Sequence, residues 1–356
     1  MFGDVYNGKR VLVTGHSGFK GSWLVMWLRR LGAEVCGIAL PPETEVSHYS
    51  LLKPELRSEW CDLRDAEHVS GIVRDFRPEI VFHLAAQPLV RKSYAEPALT
   101  FAVNVGGMVN LLEALRSTGG ARAIVIVTSD KCYRNDESPR GHREEDPLGG
   151  YDPYSASKAC QELLAASYRD SFFTRGGTLL ATARAGNVIG GGDWAADRLI
   201  PDLVRAAARG ECEPLRSPDA VRPWQHVLEP LGGYLLLGQR LFEGETQAAT
   251  GWNFGPAEND ALTVGEVAAQ MKRFWPRVEF RFAPQPDAPH ETKLLQLDCA
   301  KAERELHWHG VWSAGEAIRR TAEWYRDFYE TGAVDTAADL DGYLAAAAER
   351  GVVWMR

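Results

Sequence analysis

The sequence has no Cys-x-x-Cys pair. Its six cysteines stand apart at Cys36, Cys61, Cys132, Cys160, Cys212 and Cys299, so neither a disulfide framework nor a zinc ribbon is expected, and reduced thiols suit a cytoplasmic protein. No run of basic residues occurs, and the net charge is −8, which argues against a nucleic-acid partner. No stretch reads as long and apolar enough to cross a bilayer, and Met1-Phe2-Gly3-Asp4 does not read as a signal peptide, so no membrane partner is expected. Internal repeats and low-complexity tracts are also lacking. His307-Trp308-His309 has no acid or thiol set nearby and reads as a surface turn; no metal is expected.

The chain is 356 residues long, 45% hydrophobic and 25% charged, enough for a sizeable core. Apolar runs at 11–14, 34–39, 80–84, 123–128 and 179–184 alternate with helical segments. That rhythm predicts an α/β fold, a Rossmann-type doubly wound parallel sheet with a smaller C-terminal α/β substrate-binding domain. The expected division is 1–186 for the Rossmann domain, with a returning segment near 226–255 that includes the late strand at Gly251–Phe254. Residues 187–356, mainly 187–225 and 256–330, form the second domain. A short helix is expected over Leu199 to Ala208 and a terminal one over Asp339 to Arg350.

Val11 to Thr14 reads as a buried strand. Gly15, Gly18 and Gly21 follow at three-residue spacing, and Trp23, Leu24, Trp27, Leu28 and Leu31 then form a helical stripe. Strand, glycine turn and helix make a dinucleotide site, where glycines admit the pyrophosphate to the backbone and the helix N-terminus favours its charge. After the second strand stand Leu40, Pro41 and Pro42, not the acid that would bind a ribose 2′-hydroxyl.

Tyr154 and Lys158 lie four residues apart behind Asp152-Pro153, an N-cap followed by a first-turn proline. At that spacing both face the same way. A lysine cation and the helix N-terminus are expected to lower the phenol's pKa from about 10, so that Tyr154 takes a proton from an alcohol as hydride leaves the same carbon. The run Ala123–Thr128 reads as a parallel strand whose carboxyl end delivers Ser129, Asp130 and Lys131. A simple reductase needs the hydroxyl here, but no acid and base beside it.

These motifs resemble the extended short-chain dehydrogenase/reductases, the group of nucleotide-sugar epimerases and dehydratases. The resemblance rests on the glycine spacing, Trp60-Cys61-Asp62-Leu63, His83-Leu84-Ala85-Ala86-Gln87, Asn104 and the Tyr154/Lys158 pair. It implies NAD, held by Gly15, Ser17, Gly18, Phe19 and Gly21, by Asp62 and Leu63, by Leu84 to Gln87 and Asn104, and by Tyr154 and Lys158. Nucleotide-sugar 4,6-dehydratases carry an acid–base pair after the fifth strand, usually Asp-Glu behind Thr. Here it is Asp-Lys behind Ser. With Gly15-His16-Ser17-Gly18-Phe19-Lys20-Gly21, Arg184 to Trp194, Asp197 to Pro201 and Arg222 to Val227, this resembles the subgroup that dehydrates CDP-glucose.

The resemblance implies oxidation at C4, elimination of water across C5/C6 and hydride return to C6, giving a 4-keto-6-deoxy sugar nucleotide for deoxysugar biosynthesis, such as that of lipopolysaccharide O-antigen. Asp130 is the candidate acid, kept protonated by burial; Lys131 is the candidate base, neutral through desolvation and the Lys158 cation. The bland alternative for Lys131 is pairing with Asp130. Ser93, Asn187, Arg198 and Arg222 are the candidate substrate contacts, with Ser93 and Tyr94 on a loop after Gln87. Pro284 to Pro289 and His290-Glu291 are expected along the nucleotide pocket. Trp194 and Trp224 fit the core better than a stacking role. A homodimer or dimer of dimers is implied, through helices at about 100–117 and 153–170. Open alternatives are a 4-epimerase, a dehydratase for another nucleotide sugar, and a non-catalytic NAD-binding regulator.

Overall fold

The protein is described here by a computed structural model covering residues 1–135, 137, 140–173, 177–256, 261–283 and 294–356. Six strands come first: β1 (Arg10–Thr14), β2 (Glu34–Ala39), β3 (Arg57–Trp60), β4 (Ile80–His83), β5 (Ala123–Val127) and β6 (Leu179–Ala185). Four short ones follow: β7 (Val188–Ile189), β8 (Cys212–Leu215), β9 (Val221–Pro223) and β10 (Gln225–His226). The last are β11 (Gly251–Phe254), β12 (Ala261–Thr263) and β13 (Glu279–Phe282).

The main sheet runs β11-β6-β5-β4-β1-β2-β3, parallel throughout. Its winding reverses between β1 and β4, the point beyond whose strand ends open α/β sheets carry their ligand crevice. Every residue of β5 and β6 is buried, as strands covered on both faces require. The expected Rossmann architecture is therefore present, with Gly251–Phe254 returning as the edge strand beside β6. β3 was not among the expected strands. Arg57 and Glu59 make it a charged, half-exposed edge, so it carries no apolar run.

One core lies between the sheet and the helices Phe19–Arg30 and Leu228–Phe242, and it takes in Tyr343 and Trp354 from the chain's last segment. The opposite face is covered by Ala66–Phe76 and Gly107–Thr118. A third core joins Leu199–Arg209, Val264–Phe274 and Ala314–Thr331 around Trp194, Trp275 and Trp324. The terminal helix spans Thr336–Glu349; Tyr343 stacks on Trp354 against Trp27, which ties the end of the chain to the first core.

Three local expectations need correction. Pro97–Thr118 forms one continuous helical run of 22 residues that is long and apolar enough to cross a membrane. It packs along Ala66–Phe76 and Pro153–Tyr168, with a π turn at Ala102–Gly106. Ser93 and Tyr94 lie on a short helix, Val90–Ala95, rather than on a loop. Leu294 and Leu297 make isolated bridges to Val221 and His142. Around His307 and His309 the chain does turn at the surface, but Trp308 between them is buried in the first core. Pro284 to Pro289 and His290-Glu291 lie outside the described residues.

Candidate active site

The glycine turn between β1 and the helix Phe19–Arg30 is shaped by backbone contact. Gly15 holds φ +75°, and a Cβ on it would stand 2.8 Å from the Ala85 nitrogen; one on Gly21 would stand 2.0 Å from the Gly15 carbonyl oxygen. Only glycine fits either place. The turn is thus a backbone-walled cradle at a helix N-terminus, facing Ala85 at the end of β4. That is the shape a dinucleotide pyrophosphate needs. Ser17 donates to the Leu40 carbonyl at 2.8 Å, linking the cradle to the end of β2. Phe19 reaches toward Gly190.

His16 lies beneath the cradle. Its ring covers Gly37 of β2, bonds Ser58 at 2.9 Å and stacks on Trp60 of β3. Burial pushes the imidazole down to about 4. Asp62, just past β3, is gripped by Arg64 at 2.6 Å, and that hydrogen bond holds its carboxyl below the usual range. Leu63 is buried, and its carbonyl accepts from Asn110 at 2.8 Å.

Along the other side of the crevice, Leu84, Ala85 and Ala86 are half-buried beyond β4. Asn104 sits in the π turn, fully buried. Its amide oxygen accepts from the Gln87 backbone at 2.7 Å, and its nitrogen donates to the Gln87 carbonyl at 3.2 Å and to Ser157 at 2.8 Å. Asn104 therefore braces the 84–87 loop against the helix Pro153–Tyr168. Ser93 is buried, and its hydroxyl donates to Val90 at 2.6 Å.

Pro153–Tyr168 begins as its sequence demands, with Asp152 accepting from Ser155 and Pro153 in the first turn. Tyr154 and Lys158 face the carboxyl end of β5. The ammonium is 6.0 Å from the Tyr154 ring centroid and donates to the Val127 carbonyl at 3.3 Å. Contrary to expectation, the phenol's pKa is raised, to about 12. Burial is the main cause and the Asp130 carboxylate adds to it, while Ser129 and Arg198 pull the other way. Burial, then the neighbouring Lys20 cation, pushes Lys158 down to about 7. Excluding water outweighs the stabilisation a nearby cation and the helix end provide.

Ser129 and Asp130 are buried at the end of β5, and Lys131 is half-buried beside them. Ser129 Oγ donates to Asp130 Oδ1 at 2.8 Å and accepts from the Lys131 backbone at 3.2 Å. Asp130 Oδ2 lies over Gly186, at 2.6 Å from where a Cβ would stand, beside Pro223 of β9. Behind the site a buried Arg184–Glu162 ion pair at 2.7 Å, with Arg184 also donating to Tyr133 at 2.5 Å, anchors Pro153–Tyr168 to β6.

Among the arginines, Arg198 turns toward Tyr154 and pairs with Asp193 at 3.0 Å. Arg222 lies on β9 one residue from Pro223 and donates to the Val221 carbonyl at 2.8 Å. Asn187 accepts the Gln225 backbone at 3.2 Å, at the start of the β7–β10 ladder. Trp194 and Trp224 are buried in the third core.

Sequence reasoning overlooked Lys20. It belongs to the first turn behind the glycines and faces Arg198, Asp130 and Asp193; desolvation, with Arg198 next, lowers it to about 8. Its only local signal was a charged residue directly before Gly21. Asp193, the partner of Arg198, was likewise not singled out.

The model of the family described as GDP-mannose 4,6 dehydratase matches residues 12–321. The chain belongs to that family. Within it, the chain is 45% identical over 352 residues to CDP-glucose 4,6-dehydratase of Salmonella typhimurium, which covers 96% of this chain and 98% of that protein. Among solved structures it is similar to UDP-glucose 4-epimerase with UDP-glucose from Thermotoga maritima, with TM-score 0.78, 23% identity, and coverage of 90% of this chain and 100% of that one. UDP-glucose 4-epimerase from Brucella ovis in complex with NAD gives TM-score 0.75 and 23% identity over 90% and 98% of the two chains. At those identities the two structures establish the shared fold. This chain thus shares its fold with those two epimerases, and Ser129, Asp130 and Lys131 lie at the carboxyl end of β5.

Proposed function

We propose that this chain converts CDP-D-glucose to CDP-4-keto-6-deoxy-D-glucose and water. The observation that carries the chemistry is an acid, Asp130, hydrogen-bonded through Ser129 beside the buried Tyr154 phenol. An epimerase has no use for that acid. The choice of cytosine as the nucleotide base is supported by the 45% identity with a CDP-glucose 4,6-dehydratase along 96% of the chain.

NAD fits the glycine cradle: Gly15, Ser17, Gly18, Phe19 and Gly21 would enclose its pyrophosphate, Asp62 and Leu63 its adenosine end, and Leu84 to Gln87, Asn104, Tyr154 and Lys158 its nicotinamide end. When bound, it supplies the oxidant that accepts hydride from C4 and the reductant that returns it to C6. Tyr154 takes the proton of the 4-hydroxyl, and Ser129 holds that proton's path. The 4-ketone then acidifies C5–H. Lys131 removes the C5 proton while Asp130 protonates the departing 6-hydroxyl. Asn187, Arg198 and Arg222 hold the diphosphate, for which arginine's planar fork is suited, and Ser93 lies against the sugar. Residues 187–225 and 256–330 supply this substrate half.

The enzyme works as a homodimer or dimer of dimers through the helical runs Pro97–Thr118 and Pro153–Tyr168. Exposed Phe101 and Leu163 on those runs support the pairing. It acts in the cytoplasm, and its product feeds deoxysugar synthesis, such as that of O-antigen.

The test is a panel of CDP-, dTDP-, UDP- and GDP-sugars, with products read by mass. Loss of water from CDP-glucose first is expected. A product of unchanged mass and inverted C4 overturns the proposal in favour of an epimerase.

A further inference from the structure

Tyr154, Lys158 and Glu162 follow one another at four-residue steps, so they line one face of the helix Pro153–Tyr168. The oxidation uses the first two. The third is a buried carboxylate with no place in that chemistry. A buried charge is costly unless it is paired and hydrogen-bonded, and this one is both. Glu162 Oε1 accepts from the Thr128 hydroxyl, and Oε2 accepts from the Thr182 hydroxyl at 2.7 Å and from Arg184 at 2.7 Å. Arg184 carries the connection further. It donates to the Tyr133 hydroxyl at 2.5 Å and to the Glu144 carbonyl at 3.2 Å, and Tyr133 in turn donates to Asn253 at 2.7 Å.

These bonds hold one short turn. Thr128 is the residue before Ser129, and Tyr133 is the residue after Cys132; Asp130 and Lys131 lie between them. A single buried ion pair therefore grips the turn by a hydroxyl at each end. The acidic member of that pair stands on the helix that carries Tyr154 and Lys158. Lys158 makes a parallel contact one residue earlier, to the Val127 carbonyl at 3.3 Å. The far end of the turn has a second tie, in which the Gly149 nitrogen donates to the Cys132 carbonyl at 2.9 Å, close to the Asp152 cap of the same helix.

We propose that Glu162 and Arg184 are positioning residues for the elimination: through Thr128 and Tyr133 they fix Asp130 and Lys131 relative to Tyr154 and Lys158, so that acid and base meet a sugar already oxidised at C4. The inference rests on the dehydratase reading above and adds to it. C4, C5 and C6 are consecutive atoms of one bound hexose, so the pair that oxidises and the pair that eliminates must keep a set separation. The helix itself does not depend on either hydroxyl, because Glu162 still holds Thr182 and Arg184 on β6 when Thr128 or Tyr133 is cut.

Removing either charge would leave the other buried and unpaired, so the test cuts the hydroxyls instead. Thr128→Val and Tyr133→Phe leave the ion pair whole, and the latter keeps the ring that stacks on His142. Two rates are read: water loss from CDP-glucose, and cofactor reduction by CDP-6-deoxyglucose, which has no 6-hydroxyl to lose and stops after oxidation. Both variants are expected to slow water loss roughly 10- to 100-fold, the scale of a catalytic group displaced by up to an ångström, and to slow oxidation far less. Reduced cofactor should then build up during turnover of CDP-glucose. Thr128→Ser, which keeps the hydroxyl and gives up a methyl, should keep the wild-type ratio of the two rates. A role in packing alone predicts the reverse order, since valine fills the space of threonine and serine does not. A ratio unchanged in both Thr128→Val and Tyr133→Phe, or a Thr128→Ser variant as impaired as Thr128→Val, overturns the inference. The wild type separates the two levels: no water lost from CDP-glucose overturns the dehydratase reading, whereas water lost together with an unchanged ratio in the variants overturns the positioning role alone.

Discussion

The Lys158 ammonium and the Tyr154 ring, one helical turn apart, face each other at 6.0 Å, yet the lysine's hydrogen bond goes to the Val127 carbonyl. Both side chains are buried, and burial disfavours the charged form of each: the phenol is pushed up to about 12 and the ammonium down to about 7. The pair is held in a state that costs the fold something and serves the chemistry.

Lys158→Met should therefore abolish oxidation and raise the melting temperature. The folded pKa of about 7 lies below the ordinary lysine value of 10.5. Between those values the unfolded chain binds more protons than the folded one, so stability rises with pH across that window, and the cost of burying the cation is fully present below it. Removing the ammonium should gain up to a few kcal/mol at neutral pH, on the order of 1.4 kcal/mol per pKa unit, and flatten the rise. Thermal melts from neutral to pH 10 check this; a variant that melts lower at pH 7 contradicts it.

Gly21→Ala should weaken NAD binding at least about tenfold and destabilise the fold by roughly 1–3 kcal/mol, as overpacking does. The added methyl would stand 2.0 Å from the Gly15 carbonyl oxygen, a backbone atom that cannot turn aside. Gly71→Ala is the control. It lies in the helix Ala66–Phe76 with nothing within 4 Å of the new methyl, and should stabilise by roughly 0.5–1 kcal/mol. Cofactor titration and melting of both variants decide the matter.

The pH dependence of stability on the acid side should be governed in part by Glu229. It accepts from the Val311 and Trp312 backbones at 2.8 and 2.6 Å and from Tyr343 at 3.0 Å, which fastens the terminal helix. Burial nonetheless raises it to about 7, and raises Asp339 on that helix to about 7 as well. A carboxyl whose folded pKa exceeds its unfolded value of about 4.3 contributes stability that is fully present below the unfolded value and is lost as pH rises through the folded one. Melting temperature should fall between about pH 5 and 7 from this source, and Glu229→Gln should reduce that slope. An unchanged slope contradicts the assignment.

The parts of this molecule legible from sequence are those whose signal is local. β1, the glycine turn and its helix follow one another within about twenty residues, and the Tyr154/Lys158 spacing is a property of one helix. Ser129, Asp130 and Lys131 could be placed because strand ends in an open parallel sheet carry ligands. What escaped depends on packing between distant segments. β3 joins the sheet by backbone pairing to β2 although its side chains are charged. Lys20 gains meaning only when Arg198 and Asp193 fold over it. The raised pKa of Tyr154 reflects burial by the surrounding fold, which an i,i+4 spacing cannot report.

The central claim is that hydride removed from C4 is stored and returned to C6 of the same sugar. CDP-glucose carrying deuterium at C4 tests it in one incubation. The account predicts a 4-keto product with the deuterium in its new C6 methyl group and none released to water. Deuterium that is lost to solvent, or that stays at C4 of an epimerised hexose, contradicts it.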